Sequence, residues 1–354
     1  MVAAMIESMQ EYKSQRYKPL EREMLEALGR ELSRNAAAVR TCCLQAWREA
    51  LAEAVRVQQA AKTSCPCAYM SISLLNTSLL PPEQPLLQMD FYDEGGAYGW
   101  PWARTRTSAA FLFRHWEAFK AAALDDACFV RSRVHRSGIR ALFWETIDRM
   151  AYLFTCHAKY IVPELESTEE YQQLLRAPSF FITSGMYLDW QEQLYAERPA
   201  IDIFAPDADE DTSFRQFSGM IFRGRLFQSM ELQHCRFRDC LFADCTFAAV
   251  NLMDVQFLDC RFHRTIFRET EIAGCLWQNC ALRGCSFLAV YSVTRADSDE
   301  YFAEAELRQC YLENVQVQHC DFTNCRLRAS RVRRLELQDT AVGDDSWAGG
   351  DSHG

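Results

Sequence analysis

Sixteen of the 354 residues are cysteines, the side chains here best suited to chemistry, and ten of them are spaced by multiples of five. These are Cys235, Cys240, Cys245, Cys260, Cys275, Cys280, Cys285, Cys310, Cys320 and Cys325. If twenty residues make one turn of a coil, Cys240, Cys260, Cys280 and Cys320 share a column. A row of thiols could hold a soft metal or cycle through disulfides, and both uses begin with a thiolate. A dry apolar interior opposes that ionisation, whereas a neutral cysteine serves well as a small buried hydrophobe. One inward structural position accounts for all ten, so reduced thiols with no metal and no cofactor are expected.

The other residues that could carry chemistry lie in the first 200 positions. Cys65-Pro66-Cys67, with Cys42, Cys43, Cys156 and His157, holds enough donors for one zinc ion, but the spacings match no usual site and a structural role is expected. Glu94-Gly95-Gly96-Ala97-Tyr98-Gly99, ahead of Trp100-Pro101-Trp102, is either a ligand-contacting loop with aromatic walls or an ordinary turn. His115 and His135, near Arg114, Arg131, Arg133 and Arg136, form a solvated face or a site for an acidic partner. The phosphate-cradling, dinucleotide-binding and HExxH patterns are missing, as are CxxC pairs. No catalytic residue is therefore nominated, and the reading leans away from an enzyme.

Ten evenly spaced cysteines need a regular backbone to carry them, and a period of five runs through the C-terminal third. Fifteen large apolar residues follow in steps from Phe217 to Phe287, among them Phe237, Phe242, Phe247, Phe257, Phe262, Phe267 and Trp277. After a gap at Ser292 and Asp297 the series resumes in phase at Phe302 and continues to Val342. Two positions before each large residue sits a mostly small one, often cysteine. Two positions after it, Gly219, Gly224, Asp239, Asp244, Asp259, Gly274, Asn279 and Asn324 supply turn chemistry. No helix or flat strand has this period. A five-residue unit cannot bury its apolar face alone, so stacked neighbours must do it.

The pattern resembles the pentapeptide-repeat family, in which a small residue stands two positions before a central Leu or Phe. The resemblance covers residues 214–342 and implies a right-handed quadrilateral β-helix, one pentapeptide per side and four per coil, with both series pointing inward. About 26 pentads then make roughly six coils, or ~30 Å at the ~4.8 Å spacing of paired strands. The chain departs from the commonest form in using Cys where Ala is usual and Phe more often than Leu, which keeps the interior apolar. Residues 291–301 are polar yet preserve phase. They are either two weakly patterned sides or a loop thrown out from a corner, a feature that in some relatives takes part in partner contact.

Residues 1–201 read as a mixed α+β, mainly helical domain of no recognised family. Helix is expected over Ala3–Tyr17, with Pro19 interrupting it, and Leu20–Lys62 forms one long amphipathic helix or two with a kink near Arg34–Ala36. Tyr69–Leu75 and Leu86–Tyr92 are strand-like and suited to a hairpin across Pro81, Pro82 and Pro85. Ser108–Leu124, Ile139–Ile161 and Thr168–Leu175 read as helices and Phe180–Tyr187 as a strand. The expected fold class is therefore multidomain: this domain, an acidic linker at 202–213, the β-helix at 214–342 and a flexible tail at 343–354.

The net charge of −10 is unevenly spread. Residues 214–342 hold sixteen arginines, sixteen acids and no lysine, while 202–213 hold five acids and no base. No apolar run is long enough to span a membrane and no secretory pattern opens the chain, so a cytoplasmic protein without membrane contact is expected. The leading expectation is a non-enzymatic protein–protein interaction scaffold or adaptor with a protein partner. A second is a DNA-mimicking topoisomerase-protection protein, an activity that the family resemblance brings with it. A third is an N-terminal enzyme or effector domain targeted by the repeats. Mimicry needs acidic faces, which a neutral arginine-rich coil lacks unless charges segregate by face; direct nucleic-acid binding is not expected. Arg326, Arg328, Arg331, Arg333 and Arg334 crowd the final sides and form the candidate surface for an anionic partner. Five like charges oppose an end-to-end dimer, so a monomeric C-terminus is expected, closed by Trp347 folding back with Asp344 and Asp345 meeting the arginines.

Overall fold

The computed structural model describes residues 8–34, 36–60, 65–79, 84–96, 99–125, 134–199, 201–205, 211–293, 303–343 and 347. They fall into two compact units, Met1–Tyr195 and Ala196–Gly354.

In the first unit Ser8 and Glu11 cap helix α1 (Met9–Tyr12) reciprocally. The helix runs on through a wide π-turn, Lys13–Tyr17, into α2 (Lys18–Arg34), and α3 (Ala36–Ala60) follows. Pro19 thus does not interrupt the helix. It has no N–H to give, and the wide turn before it, in which the Lys18 N–H reaches the Lys13 carbonyl, carries the ladder past the gap. Glu21 on α2 is buried, held by Lys18 (2.6 Å), by Thr146 (2.6 Å) and by Arg149, the last two from α5 (Arg136–Ala158). A buried carboxylate with cations and a hydroxyl around it escapes the penalty of an unpaired charge.

Five strands form a mixed sheet: β1 (Cys67–Leu74), β2 (Leu86–Tyr92), β3 (Ala103–Ser108), β4 (Arg176–Met186) and β5 (Gln191–Glu197), in the order β3-β2-β1-β4-β5. β1 pairs antiparallel with β2, Tyr69 opposite Tyr92, and parallel with β4, Tyr69 opposite Phe181. Alternation along the strands sends Met70, Ile72, Met89, Phe91, Phe180 and Ile182 into one core with Trp47 and Phe143 of the helices. Residues 108–124 hold a 3₁₀ turn, Ala110–Phe113, and the short α4 (Trp116–Ala123) instead of one helix. β3 and β5 have no counterpart in the sequence reading. Arg104-Thr105-Arg106-Thr107 lacks the apolar half of a strand pattern because its alternate side chains join a polar surface.

The second unit is a parallel β-solenoid with six strands on its first side. On that side Phe217, Phe237, Phe257 and Trp277 lie in register; on the second, Phe222, Phe242, Phe262 and Leu282; on the third, Phe227, Phe247, Phe267 and Phe287. Single bridges joining Glu231, Asn251, Glu271, Tyr291 and Asp321 make the fourth side. From Phe217 to Cys325 the inward apolar residues and thiols are buried as one core, against which Leu327, Val332 and Leu335 of the last coil pack in part. At the corners, the residue two beyond each central one turns left-handed, as at Gly219 (φ 65°), Asp239 (φ 53°), Asp259 (φ 56°) and Asn279 (φ 55°). Gly, Asp and Asn accept that conformation most readily, so one period writes both the core and the corner.

The twenty-residue period breaks once. Trp277 pairs with Leu307 and Leu282 with Leu312, thirty residues on, so the chain between the fourth side of one coil and the first of the next is ten residues longer than the repeat needs. Residues 294–302, on which the choice between two weak sides and a loop turns, lie outside the described residues. The register corrects the thiol column. Cys310, not Cys320, follows Cys240, Cys260 and Cys280, and Cys320 sits beside Val290 instead.

The first end of the coil is covered and the last is covered in part: Trp347 packs over Phe322, while Leu337 and Val342 of the final coil are 41% and 37% exposed. Before the first coil Ile203 is buried and Phe204 packs edge-on against Phe227 at 5.0 Å and Phe222 at 6.0 Å. Arg215 donates to the carbonyls of Pro199 and Asp211. The described part of the expected acidic linker is therefore packed structure. At the far end Trp347 is buried 5.0 Å from Phe322, and its indole N–H donates to the Cys325 carbonyl at 2.8 Å. Asp344 and Asp345 lie outside the described residues. Replacing Trp347 by Ala should cost the coil unit about 3–5 kcal/mol, read as an earlier urea midpoint, with the mass in light scattering unchanged. An unaltered midpoint would mean that the end is closed by something else.

Candidate interaction surface

The inward thiols have a structural task. Cys260 donates its S–H to the Phe237 carbonyl at 3.3 Å, Cys280 to that of Phe257 at 3.3 Å and Cys310 to that of Trp277 at 3.2 Å, each in the preceding coil. Thr265 and Ser330 make the same bond, to Phe242 at 3.1 Å and Leu307 at 2.8 Å. The position therefore selects a small donor that ties one coil to the next. Burial pushes Cys235 up to about 12, Cys285 to about 11 and Cys275 well above the ordinary thiol range. In the column, burial raises Cys280 as well. Burial still opposes the loss of any proton from this row.

The five terminal arginines are divided between two sides of the coil. Arg326 and Arg328, on the first side, meet Glu304 at 3.1 and 3.2 Å, and Arg328 also meets Glu306 at 2.9 Å. Arg333, on the second side, pairs with Glu313 at 3.1 Å. Arg331 and the corner residue Arg334 (φ 62°) are exposed. What the register gathers instead is a longer basic face. The second side and the corner after it carry Arg223, Arg261, Arg264, Arg283, Arg331, Arg333 and Arg334 against only Asp244 and Glu313. The opposite, fourth side carries Glu231, Glu271 and Asp321 and, among the described residues, no arginine. Arg264 grips Asp244 with two bonds of 2.6 and 2.8 Å, and Glu313 lies between Arg283 at 3.5 Å and Arg333 at 3.1 Å.

In the first unit, the sheet surface away from the core holds a closed polar network. Buried Asp90 accepts from Arg104 at 2.7 Å and Gln88 at 2.8 Å, Arg106 donates to Gln88 at 2.9 Å, and Arg104 also reaches the Tyr187 hydroxyl at 3.3 Å. The Tyr92 hydroxyl beside Asp90 is raised by burial and by that carboxylate, which keeps it protonated. These groups satisfy one another and form no nucleophile–base pair. Among the described residues no three His, Cys, Asp or Glu side chains gather as a metal site. Cys65 donates to Asp93 at 3.5 Å, burial pushes Cys67 up to about 12, and burial holds His157 down to about 4. Trp100 is 92% exposed whereas Trp102 packs 5.8 Å from Phe91, so the two rings do not wall one pocket; Ala97 and Tyr98 lie outside the described residues. Glu31 draws in Arg114 at 3.0 Å and His115 at 3.4 Å, while Arg131 and Arg133 lie outside the described residues.

The sequence reading missed the basic face and the Asp90 network. The first could have been found by folding the pentad positions onto a twenty-residue turn and summing charge by side. The second is signalled by the spacing of two, Gln88 with Asp90 and Arg104 with Arg106, which puts each pair on one strand face.

A family model described as pentapeptide repeats (8 copies) matches residues 301–331, and one described as the SV2A/B/C luminal domain matches residues 216–287. No curated protein matches the chain significantly. Among solved structures, QnrB1, described as a plasmid-mediated fluoroquinolone resistance protein, is 18% identical over 38% of this chain and 80% of its own, with a TM-score of 0.27. HetL, described as a pentapeptide repeat protein involved in heterocyst differentiation regulation from the cyanobacterium Nostoc sp. strain PCC 7120, is 10% identical over 38% of this chain and 86% of its own, with a TM-score of 0.15. Neither lends this chain an activity.

The buried thiols yield a direct prediction. In native protein the exposed Cys42 should react readily with a maleimide, whereas the ten coil cysteines should react only on unfolding. Mass spectrometry of the labelled peptides reads this out, and rapid native labelling of Cys260 or Cys280 would overturn the inward assignment.

Proposed function

Because residues 214–342 are a pentapeptide-repeat β-helix, we propose that the protein is a non-enzymatic interaction scaffold whose working surfaces are the long sides of the coil. The observation that carries this reading is that the interior is fully packed and offers no chemistry. Apolar rings and thiols fill the core, Phe204 covers the first end and Trp347 packs over Phe322 at the last, so the long sides are the largest described surfaces left to meet a partner. Their composition suits that use. Sixteen arginines without a single lysine in residues 214–342 follow the preference of protein interfaces for Arg over Lys, where a surface built for solubility alone would use both. Ten core cysteines, all free, fit a reducing, cytoplasmic setting.

Mimicry of duplex DNA has less support. The acidic side offers Glu231, Glu271 and Asp321 on alternate coils, close to one charge per ~10 Å, against one per ~1.7 Å in the duplex.

The test is affinity capture from the native host with the full chain and with charge-reversal variants grouped by coil side. A partner held by the unaltered chain and lost on reversing one side, with melting unchanged, is the expected result. Partners held equally by every variant would move the function away from the coil. Protection of a topoisomerase by the unaltered chain would favour mimicry.

A further inference from the structure

The second side of the coil is basic in a chain whose net charge is −10. Its seven arginines come from four of the strands on that side and the corner turns after them, and each strand is aligned with the next residue for residue. The two carboxylates among them are already engaged: Asp244 by Arg264, and Glu313 by Arg283 and Arg333. Arg223, Arg261, Arg331 and Arg334 are exposed beyond these pairs. Between them the outward positions are apolar or aromatic: Ile221, which is 64% exposed, then Leu241, Ala281 and Tyr311. Arginine and tyrosine around small apolar patches is the composition of a protein-binding surface.

From this we infer that the second side of the coil docks an extended acidic segment of a partner protein, lying along the coil axis. The inference rests on the scaffold reading and names the kind of partner. Guanidinium groups match carboxylates with two parallel bonds, as Arg264 and Asp244 already do on this face. From Arg223 on the first coil to Arg331 on the sixth, five strand spacings of ~4.8 Å give ~24 Å, the length of about seven extended residues at ~3.3 Å each. A continuous phosphate backbone fits less well, because Asp244 and Glu313 interrupt the basic run. A segment alternating carboxylates with apolar side chains fits both elements of the face.

The experiment uses the full chain and a fluorescein-labelled octapeptide alternating Glu and Leu, read by anisotropy at low and moderate salt. The comparison probes are its Gln counterpart and an oligo-dT of equal charge. The Glu peptide should bind, and Arg223→Gln with Arg261→Gln and Arg331→Gln should weaken it by about tenfold or more. The control, Arg238→Gln with Arg308→Gln on the first side, should leave binding nearly unchanged. Equal binding by all three proteins, or equal loss in the control, overturns the inference, as does tighter binding of the oligonucleotide. Salt-sensitive self-association abolished by the triple variant would reassign the face to a second copy and overturn it too. If partner capture depends on another side while the triple variant behaves like the unaltered chain, the scaffold reading stands and this inference alone fails.

Discussion

The coil unit depends on a coincidence of lengths: the spacing of hydrogen-bonded strands is also a good stacking distance for aromatic rings. Phe242 and Phe262 lie 4.8 Å apart with planes 5° from parallel, and Phe227 and Phe247 lie 4.3 Å apart at 10°. Around the corner between the first and second sides the rings meet edge-on instead, as Phe237 and Phe242 do at 5.5 Å and 72°. Both arrangements are favourable for aromatic quadrupoles, each pair adding about 0.5–1.5 kcal/mol beyond the burial of its area. A chain that places one ring per pentad therefore gains contacts in two directions. One that slipped by a single residue would lose both and turn its corner residues inward.

The same constraint removes the interior from chemistry and leaves function to the sides. Cysteine, threonine and serine interchange at the second inward position because each donates to a carbonyl of the coil before it. That shared bond, not thiol reactivity, explains the cysteine content. Polar freedom survives only at positions one before and one after each ring and at the corners. Those positions, stacked in register, convert a scattered and formally neutral set of charges into a basic side facing away from an acidic one.

The coil was legible in the sequence because its period is short and strict. Phe217 through Phe287, the small series before it and the turn series after it all reappear as core and corner. The ten-residue excursion preserved the pentad phase but not the coil phase, which is why the column was misread at Cys320 and belongs to Cys310. The first unit was less legible. Its long helices follow from apolar periodicity, but β3 escaped notice because Arg104 and Arg106 serve a polar surface, and Pro19 misled because the preceding π-turn absorbs its missing donor. The arginines at 326–334 drew attention by crowding along the chain, yet folding divides them between two sides and pairs three of them with glutamates.

The central claim is that one ladder, with a twenty-residue turn, runs unbroken past the excursion. The most direct measurement is the thermal unfolding of a chain lacking residues 293–302, which restores the uniform period between Ser292 and Ala303. The account predicts a coil unit that still melts in one cooperative step at or above the original temperature. A coil unit that is unfolded, or that melts in two separate steps on either side of the deletion, would contradict it.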